Sequence, residues 1–458
     1  MRNLASEPDD ERLSPALRNS WSKFFAPRFF SRFLRFVYAK ISIQSLLLFL
    51  VIVLIPSNLF LKFVYPGAYV HGILVDFLLP KFFLSDFPII ALLILWVSTE
   101  KIPKVVKRVS GILYLASAVH LVFATLSSPS TVLSTAWFVA KLFEMLLFTC
   151  WLVEHRSLLK GRVIILAVCT MLLIQTPLAI YQNITHHQLF GYWFLGEPTL
   201  NVSPQIAKTD LPGSVHILPY GTTPHPNVLA GVSVSAVALL IYAGATPLLI
   251  TLVLLNAILI IALTYSLSTL IAFVLGAGTV LYVIHVKSKE KTKIERCAVL
   301  GIGIVCVITI GFLCIPSLNS SQAFSILNSP SILRRAQLEH IAVNAFLSSP
   351  LEGVGLNRLT IEMERFGTIS ANTKFLQPTH NIPLLYLAET GLIGVLFFIL
   401  FFKVVHKYYS ADLFGFCFLF IPLNVLLSLD HYLYTLQQGQ LVFVFVLAMM
   451  IKKRKEMR

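Results

Sequence analysis

Residues 226–286 read PNVLAGVSVSAVALLIYAGATPLLITLVLLNAILIIALTYSLSTLIAFVLGAGTVLYVIHV. This stretch contains no Asp, Glu, Lys or Arg, and it divides into apolar segments at about 226–243, 246–263 and 265–286. A helix that crosses the hydrocarbon core of a bilayer needs roughly 20 mostly apolar residues. The stretch therefore predicts three consecutive transmembrane helices and an all-α, polytopic integral membrane protein.

The rest of the 458-residue chain has the same character. Apolar residues make up 57% of it and charged residues 12%, whereas soluble domains are about 25% charged. This composition excludes a soluble enzyme, a disordered protein and a nucleic-acid-binding protein. About twelve spans are predicted in all, the other nine at approximately 41–61, 84–99, 111–126, 132–153, 163–182, 297–316, 381–403, 411–429 and 438–451.

The distribution of basic residues predicts the orientation. The net charge is +15, and 27 of the 36 Lys and Arg residues fall on one side of the predicted spans, together with both termini. Basic residues concentrate in the cytoplasmic loops of membrane proteins. We therefore expect both termini to be cytoplasmic, and we interpret the positive charge as an orientation signal.

The spans divide the chain into a transmembrane domain and two short tails. Residues 1–40 are too long and polar for a signal peptide and are expected to form a basic cytoplasmic tail, followed by a single transmembrane domain at 41–451 and a second basic tail at 452–458. Two outer loops, about 183–225 and 317–380, are long and rich in aromatic and apolar residues, which predicts a folded, partly helical outer layer. Apolar spacing predicts a helix over 332–343, ended by Pro350, Gly353 and Gly355.

The tract entering the tenth span offers a candidate catalytic residue. It begins His380-Asn381 and continues to Gly391 and Gly394. At about 100° per residue, a straight helix would place Gly391 about 20° from His380, with Glu389 on the opposite face. A neutral histidine can accept a proton from a hydroxyl nucleophile. The alternative is an interfacial histidine that only hydrogen-bonds loop backbone.

Two other segments in the predicted outer loops contain polar residues that are candidates for the functional site. Arg334 and Arg335 offer guanidinium groups suited to phosphate or pyrophosphate oxygens, although a solvated helix face pairing with Glu339 is the alternative. A rigid turn at 220–227 leads into the sixth span and contains His225 and Asn227. Helix capping is the alternative role for that turn.

Other ionisable residues give weaker indications. Asp76 and Asp86 lie near the first outer loop without a paired acidic motif, and His186-His187 has no third metal ligand in view. Lys141 and Glu144 are spaced to neutralise each other within a span. The six cysteines lie in or beside spans, so we expect neither a disulfide framework nor a metal site, and no cofactor.

Taken together, these stretches resemble the bacterial O-antigen ligase and polymerase superfamily, over about residues 180–400. The tract from His380 to Gly394 is similar to the family pattern of His, then Asn, Ser or Gln, nine residues, Gly, two residues, and Gly, Thr or Tyr. The segment from Arg335 through Pro350-Leu351-Glu352-Gly353-Val354-Gly355 looks like its arginine, helix and Pro-Leu-x-Gly-Val-Gly. Gly221-Thr222-Thr223-Pro224-His225-Pro226-Asn227 resembles its Gly-Thr-Phe-Pro-His-Pro-Asn turn.

Two positions depart from the family pattern. Leu267 stands where the family usually has an arginine in Thr-x-Ser-Arg-Ser, and Leu218 where an arginine often precedes the turn. Leucine provides neither a charge nor a bidentate donor for a diphosphate. Arg334, as an extra basic neighbour of Arg335, is a candidate to compensate for the two missing arginines. Otherwise the donor differs, or the protein has lost catalysis.

The resemblance implies a membrane glycosyltransferase, with an architecture like that of the GT-C class, in the bacterial cytoplasmic (inner) membrane. It implies metal-independent, inverting transfer of a glycan from undecaprenyl pyrophosphate to a hydroxyl of a lipid, glycan or protein acceptor at the outer face. His380 and Arg335 would be catalytic, and Arg334, Asn381, His225 and Asn227 would bind substrate. A surface polysaccharide polymerase and a degenerate member are alternatives within the family. A transporter or flippase is the rival from another class.

Overall fold

The computed structural model describes residues 42–454 apart from a few gaps, which are 128, 202–205, 212–213, 286–288, 291, 294, 298–299, 301–329 and 368–375. The predicted tail at 1–40 and nearly all of the predicted span at 297–316 lie outside the described residues. The compact unit that carries the site discussed below is Leu47–Arg458.

The described chain is predominantly helical, as predicted. Its helices are α1 (Ile43–Val53), α2 (Asp86–Thr99), α3 (Lys104–Ser127), α4 (Val132–Glu154), α5 (Arg162–Thr185), α6 (Pro226–Ala243), α7 (Pro247–Thr264), α8 (Leu267–His285), α9 (Pro330–Ser348), α10 (Leu359–Glu362), α11 (Ile382–Tyr408), α12 (Leu413–Leu429), α13 (Tyr432–Thr435) and α14 (Gln437–Met450).

Six of these helices, α3 to α7 and α11, are long and apolar enough to cross a membrane, and α1, α2, α8, α12 and α14 are shorter apolar helices. The protein is therefore a multi-pass membrane protein. The first predicted span, 41–61, was too long, because the helix ends at Val53 and strand β1 occupies the end of that stretch.

Short antiparallel strand pairs lie in the loops between helices and at the ends of α11 and α14. Strand β1 pairs with β4 and β2 with β3 in the first outer loop, β5 pairs with β6 in the second, and β7 joins β8 where α11 and α14 end. The strands are β1 (Phe60–Lys62), β2 (Tyr69–Val70), β3 (Ile73–Leu74), β4 (Lys81–Phe83), β5 (Lys208–Leu211), β6 (Ser214–Ile217), β7 (Tyr409–Ala411) and β8 (Ile451–Lys453).

Aromatic side chains fill the centre of the largest apolar core. Trp96 of α2, Trp151 and Phe148 of α4 and Phe445 of α14 are essentially inaccessible to solvent. Phe148 contacts Trp151 and Phe445 at ring-centroid distances of 6.0 and 5.8 Å. Side chains of this size dominate the energetics of buried cores, so these contacts fix α14 against α4.

The predicted outer helix is present as α9, whose inner face packs in a separate apolar cluster with α10 and the start of α11. This cluster contains Leu338, Ile341 and Ala342 of α9 together with Leu384 and Ala388 of α11. The described part of the predicted loop at 317–380 thus contains the expected helix, and α9 is held against the helix that His380 precedes.

The helix α11 is kinked at Gly391, which adopts φ 60° and ψ −159°. His380 precedes the helix, so the expectation of a straight helix with His380 and Gly391 on one face was wrong. The kink frees backbone groups that an intact helix would pair, and the turn after α9 supplies their partners. The four bonds run from Val354 N to Ala388 O, Gly355 N to Glu389 O, Leu392 N to Pro350 O and Ile393 N to Leu351 O, each 2.9 Å.

Candidate active site

The candidate site forms where the start of α6, the start of α11 and the end of α12 meet, with α9 alongside. His380 and Asn381 lead into α11, while Asp430 and His431 follow α12. Each is held at a helix end, where backbone groups are available for capping. The site thus combines residues from well-separated parts of the chain.

The turn that carries His225 is clamped by two glutamines of α5. Gln182 Oε1 accepts hydrogen bonds from the Tyr220 and Gly221 amides at 2.9 and 2.8 Å. Gln175 donates to Thr222 Oγ1 at 2.8 Å and accepts from the Thr222 amide at 2.9 Å. Buried amide side chains satisfied in this way hold the turn in one conformation.

His225 and Asn227 begin α6. His225 Nδ1 accepts a hydrogen bond from the Asn227 amide at 3.2 Å and caps the helix, so Nδ1 is unprotonated and the proton of the neutral ring is on Nε2. The expected capping role is therefore present. The Asn227 side chain is left available for a partner from another helix.

That partner is Asp430. Asn227 Nδ2 donates to Asp430 Oδ2 at 2.8 Å, and Asp430 Oδ1 accepts from the His431 amide at 2.9 Å. Asp430 is nearly inaccessible, so its charge requires such donors. These bonds hold the carboxylate in place against the histidines.

The imidazoles of His380 and His431 are in contact. Their ring centroids are 4.8 Å apart with planes at 76°. His431 is fixed by a 2.6 Å hydrogen bond between its Nδ1 and Thr435 Oγ1 and by the ring of Phe77, at 5.4 Å. His380 Nδ1 is buried and has no hydrogen-bond partner among the described residues. His380 is therefore held by packing, with a free nitrogen.

Asn381 orients the residue before it. Its Oδ1 caps α11 by accepting from the Leu384 amide at 3.2 Å, and its side chain also hydrogen-bonds Glu339. Asn381 and Glu339 are both buried, and burial raises the pKa of Glu339 to about 8. The expectation of a solvated face was wrong for Glu339, which faces the interior, although the charge of Arg335 does act on it.

Charges in the cluster favour an ionised carboxylate and neutral imidazoles. Burial raises the pKa of Asp430, but His380, His431 and Arg335 outweigh it and lower that pKa to about 2. Burial lowers the pKa of His431 to about 4. The pKa of His380 lies well below its usual value, first through burial and then through the charges of His431 and Arg335. At neutral pH the cluster is thus a carboxylate beside uncharged rings.

Arg335 supplies the positive charge at this site. Its charge acts on His225, His380, Asp430 and His431. It forms no hydrogen bond or ion pair with the residues that the structure describes, and it is half-buried. A guanidinium without a partner beside buried rings is a ready anion site.

Arg334 is the preceding residue on α9 but is not among the charges that influence the histidines and Asp430. Successive helical residues point about 100° apart, which separates its side chain from that of Arg335. The structure therefore brings together His380, Arg335, His225 and Asn227, and it leaves Arg334 aside.

His380, Asp430 and His431 could also be considered as metal ligands. One potential ligand atom from each lies within 4.8 Å of the others. In a tetrahedral zinc site, bonds of about 2.1 Å place such atoms roughly 3.3 Å apart. The three side chains would have to close in around a cation, against the positive charge of Arg335.

Helices α2 and α4 contribute a separate buried ion cluster. Asp86 is fully buried and contacts Lys141 at 2.5 Å, and Lys141 also binds Glu144 at 2.8 Å. The expected Lys141–Glu144 pair is confirmed, with Asp86 as an additional partner. Asp76 pairs with Lys81, so both loop aspartates are engaged in ion pairs.

Asp430 and His431 were not predicted as site residues from the sequence. The available signal was a pair of adjacent ionisable residues directly after an apolar span, since such residues at a membrane boundary need a partner or a function. Leu218 and Leu267 put no charge near the cluster. Leu267 begins α8, and its side chain is exposed.

Comparison with known proteins agrees with the resemblance. Residues 251–399 match the model of a family described as O-antigen ligase. This segment contains Arg335, the turn after α9, and the tract from His380 to Gly394. A search of curated proteins finds no match to the chain.

Proposed function

Since residues 251–399 carry the O-antigen ligase match, which supports ligase- or polymerase-type glycan transfer in general, we propose a specific reaction for this protein. It transfers a saccharide from a polyprenyl pyrophosphate to an acceptor hydroxyl at the outer face of the cytoplasmic membrane. The observation that carries the proposal is the contact of neutral His380 with His431 beside the ionised Asp430 and the unpaired Arg335.

The reaction is a single displacement at the anomeric carbon. The acceptor hydroxyl loses its proton to His380 as its oxygen forms a bond to that carbon. The bond from the carbon to the pyrophosphate oxygen breaks on the opposite face, and the anomeric configuration inverts. Arg335 binds the departing pyrophosphate and stabilises the charge that develops on it.

Donor binding prepares His380 to act as the base. Burial and the positive charge of Arg335 keep the His380 pKa well below its usual value. A base works best when its pKa is near the ambient pH. A pyrophosphate bound at Arg335 brings negative charge, which offsets that of Arg335 and raises the pKa of His380. Asp430 then stabilises the imidazolium that forms.

The other predicted residues have supporting roles in this proposal. Asn381 positions His380, because its buried side chain is already bonded to α11 and Glu339. Asn227 positions Asp430. His225 is exposed, so its ring borders the space next to the cluster and can contact substrate. Arg334 stays a candidate for a further contact with the donor diphosphate, although its side chain lies on a different face of α9 from that of Arg335.

The proposed reaction uses only residues of this chain, and none of its steps involves a metal. With leucine at 218 and 267, Arg335 carries the diphosphate contact that further arginines share in the family pattern. A ligase would use a lipid core, glycan or protein as acceptor, and a polymerase would use a second lipid-linked repeat. The same site residues would serve a ligase and a polymerase.

Complementation tests the proposal. A strain lacking this protein receives wild type, His380→Ala, Arg335→Ala or Arg335→Lys, and its surface glycan is measured with the membrane abundance of each variant. We expect wild type to restore the glycan, both alanine variants to fail at equal abundance, and Arg335→Lys to restore part. Equal restoration by wild type and all three variants would refute the assignment.

A further inference from the structure

A second recess lies beside the candidate site, between the first outer loop, α4 and the start of α14. Its cavity volume is about 60 Å³ and it is partly open, so a sugar ring would be only partly enclosed. Its lining includes Phe77, Lys81, Trp137, Asn357 and Gln437. We propose that this recess holds an uncharged sugar ring of the reacting glycans. The inference rests on the proposed function and assigns a binding site within it.

The lining has the chemistry that a sugar ring requires. Trp137, Phe77, Phe83 and Phe138 provide apolar aromatic surface, on which the C–H faces of a pyranose can pack. Amide and hydroxyl side chains of Asn357, Gln437, Gln440 and Ser134 stand among them. Binding sites for small molecules combine apolar walls with a few polar groups in this way.

The charges in the recess do not favour a phosphate. Both lysines in the lining are already paired, Lys81 with Asp76 and Lys141 with Asp86 and Glu144. An anion would have to displace a carboxylate from each of them. Arg335 has no such partner among the described residues, so the diphosphate belongs there and an uncharged group belongs in the recess.

One polar atom of the lining lacks a partner. Gln437 donates its amide hydrogens to Ser85 and Asp86, at 3.3 and 2.5 Å, but its Oε1 is buried and has no hydrogen-bond partner among the described residues. A buried acceptor left unpaired is costly. The Gln437 side chain must therefore turn before this oxygen can accept a hydrogen bond from a sugar hydroxyl in the recess.

The recess adjoins the reacting groups. Phe77 lines the recess and contacts the His431 ring, and Thr435 lines it while its hydroxyl bonds His431 Nδ1 at 2.6 Å. His431 in turn contacts His380. A glycan seated in the recess therefore extends toward the atoms that react, which suits a sugar one or more units from the scissile bond.

Binding of free sugars tests the inference without requiring turnover. The full-length protein in lipid nanodiscs is titrated with glucose, galactose and N-acetylglucosamine, and separately with inorganic pyrophosphate, using ligand-observed NMR. The variants are Trp137→Leu, Trp137→Phe and His380→Ala. Trp193→Leu is the matched control, since Trp193 is an exposed outer-loop tryptophan outside the recess.

We expect at least one sugar to bind wild type, His380→Ala and Trp193→Leu equally. Trp137→Leu should weaken that binding about three- to tenfold, and Trp137→Phe should restore most of it. Absence of sugar binding, or binding that Trp137→Leu leaves unchanged, would overturn the inference. So would pyrophosphate binding that depends on Trp137. Loss of transfer in His380→Ala is scored separately and reports on the reaction alone.

Transfer kinetics then identify the source of the sugar. If Trp137→Leu raises the KM of the donor, the recess holds a donor sugar, and if it raises the KM of the acceptor, it holds an acceptor sugar. If both KM values remain at wild-type levels, the recess is not a glycan site.

Discussion

The side chain of Asn227 donates a 2.8 Å hydrogen bond to the carboxylate of Asp430, a residue 203 positions later in the chain. This bond joins the beginning of α6 to the end of α12. Because Asp430 also accepts from the His431 amide and lies close to His380, it ties the predicted turn to the histidine that we propose as base. The charge and position of Asp430 should therefore matter for transfer.

Replacing Asp430 with Asn keeps the shape of the side chain and removes its charge. Hydrogen bonds to charged groups contribute about 1.5–3 kcal/mol, so transfer should fall roughly 10- to 100-fold. Asn227→Ala should have a smaller effect, about two- to tenfold. Asn256→Ala, which removes a bond to Thr176 elsewhere, is the control for general disturbance. Full activity in Asp430→Asn would show that the carboxylate has no part in the reaction.

Stability should decrease in mild acid. The His431 pKa is about 4 in the folded protein because burial disfavours the charged ring, against about 6.5 in an unfolded chain. Between these values the unfolded state takes up a proton that the folded state does not, so stability is full above about pH 6.5 and falls as the pH drops toward 4. The loss approaches about 3 kcal/mol.

Thermal unfolding between pH 7.5 and 5 measures this slope. His380, whose pKa is also lowered by burial, contributes in the same direction. His431→Gln should therefore flatten the pH dependence without abolishing it, whatever its effect on stability at pH 7.5. An unchanged slope in that variant would contradict a neutral, buried His431.

Gly391 should not tolerate a side chain. A Cβ built on it would lie 2.4 Å from the Leu351 carbonyl oxygen and 2.6 Å from the Gly353 amide nitrogen, and its φ of 60° is unfavourable for alanine. Gly391→Ala should cost at least about 2 kcal/mol and lower membrane abundance. Gly278→Ala, in open space on α8, should be neutral or slightly stabilising. Equal unfolding temperatures for the two variants would argue against the kink.

The buried ion cluster should be sensitive to the loss of one partner. Asp86→Ala leaves Lys141 with Glu144 alone in a nearly inaccessible position, and breaking such a pair costs roughly 3–5 kcal/mol. The triple variant Asp86→Leu, Lys141→Met and Glu144→Gln removes all three charges and should be more stable than Asp86→Ala. Unfolding midpoints and membrane abundance measure the difference. A triple variant less stable than the single one would mean that Lys141 is stabilised without Asp86.

Much of the fold could be predicted because each apolar run of residues indicates a helix by itself. Residues 226–286 contain no Asp, Glu, Lys or Arg, and the structure places three apolar helices there. The apolar spacing within 332–343 likewise predicted α9. The first span was predicted too long, because the apolar residues after Val53 form a turn and strand β1 rather than a continuing helix.

The kink at Gly391 could not be predicted from the sequence. The interval between His380 and Gly391 suggested a straight helix face, but Gly391 instead lets the backbone of α11 meet the turn at 350–355. That meeting depends on tertiary hydrogen bonds with residues 34 to 42 positions earlier in the chain. The two glycine-containing motifs therefore act as one structural unit.

The candidate site was predicted in part. His380, Arg335, His225 and Asn227 were identified from their local context, and the structure brings them together. Asp430 and His431 were missed because no local pattern links them to residues 50 positions earlier. Their role becomes apparent only when the ends of α6, α11 and α12 are seen to meet.

Transfer by the purified protein tests the central claim most directly. Wild type, His380→Ala and Arg335→Ala in lipid nanodiscs are supplied with a polyprenyl-pyrophosphate-linked glycan and a lipid acceptor, with and without a metal chelator. We predict glycan transfer with stoichiometric release of polyprenyl pyrophosphate by wild type, unaffected by the chelator. Both variants should be about 10²- to 10⁴-fold slower. Wild-type rates in both variants would contradict the assignment of His380 as base and Arg335 as the diphosphate ligand.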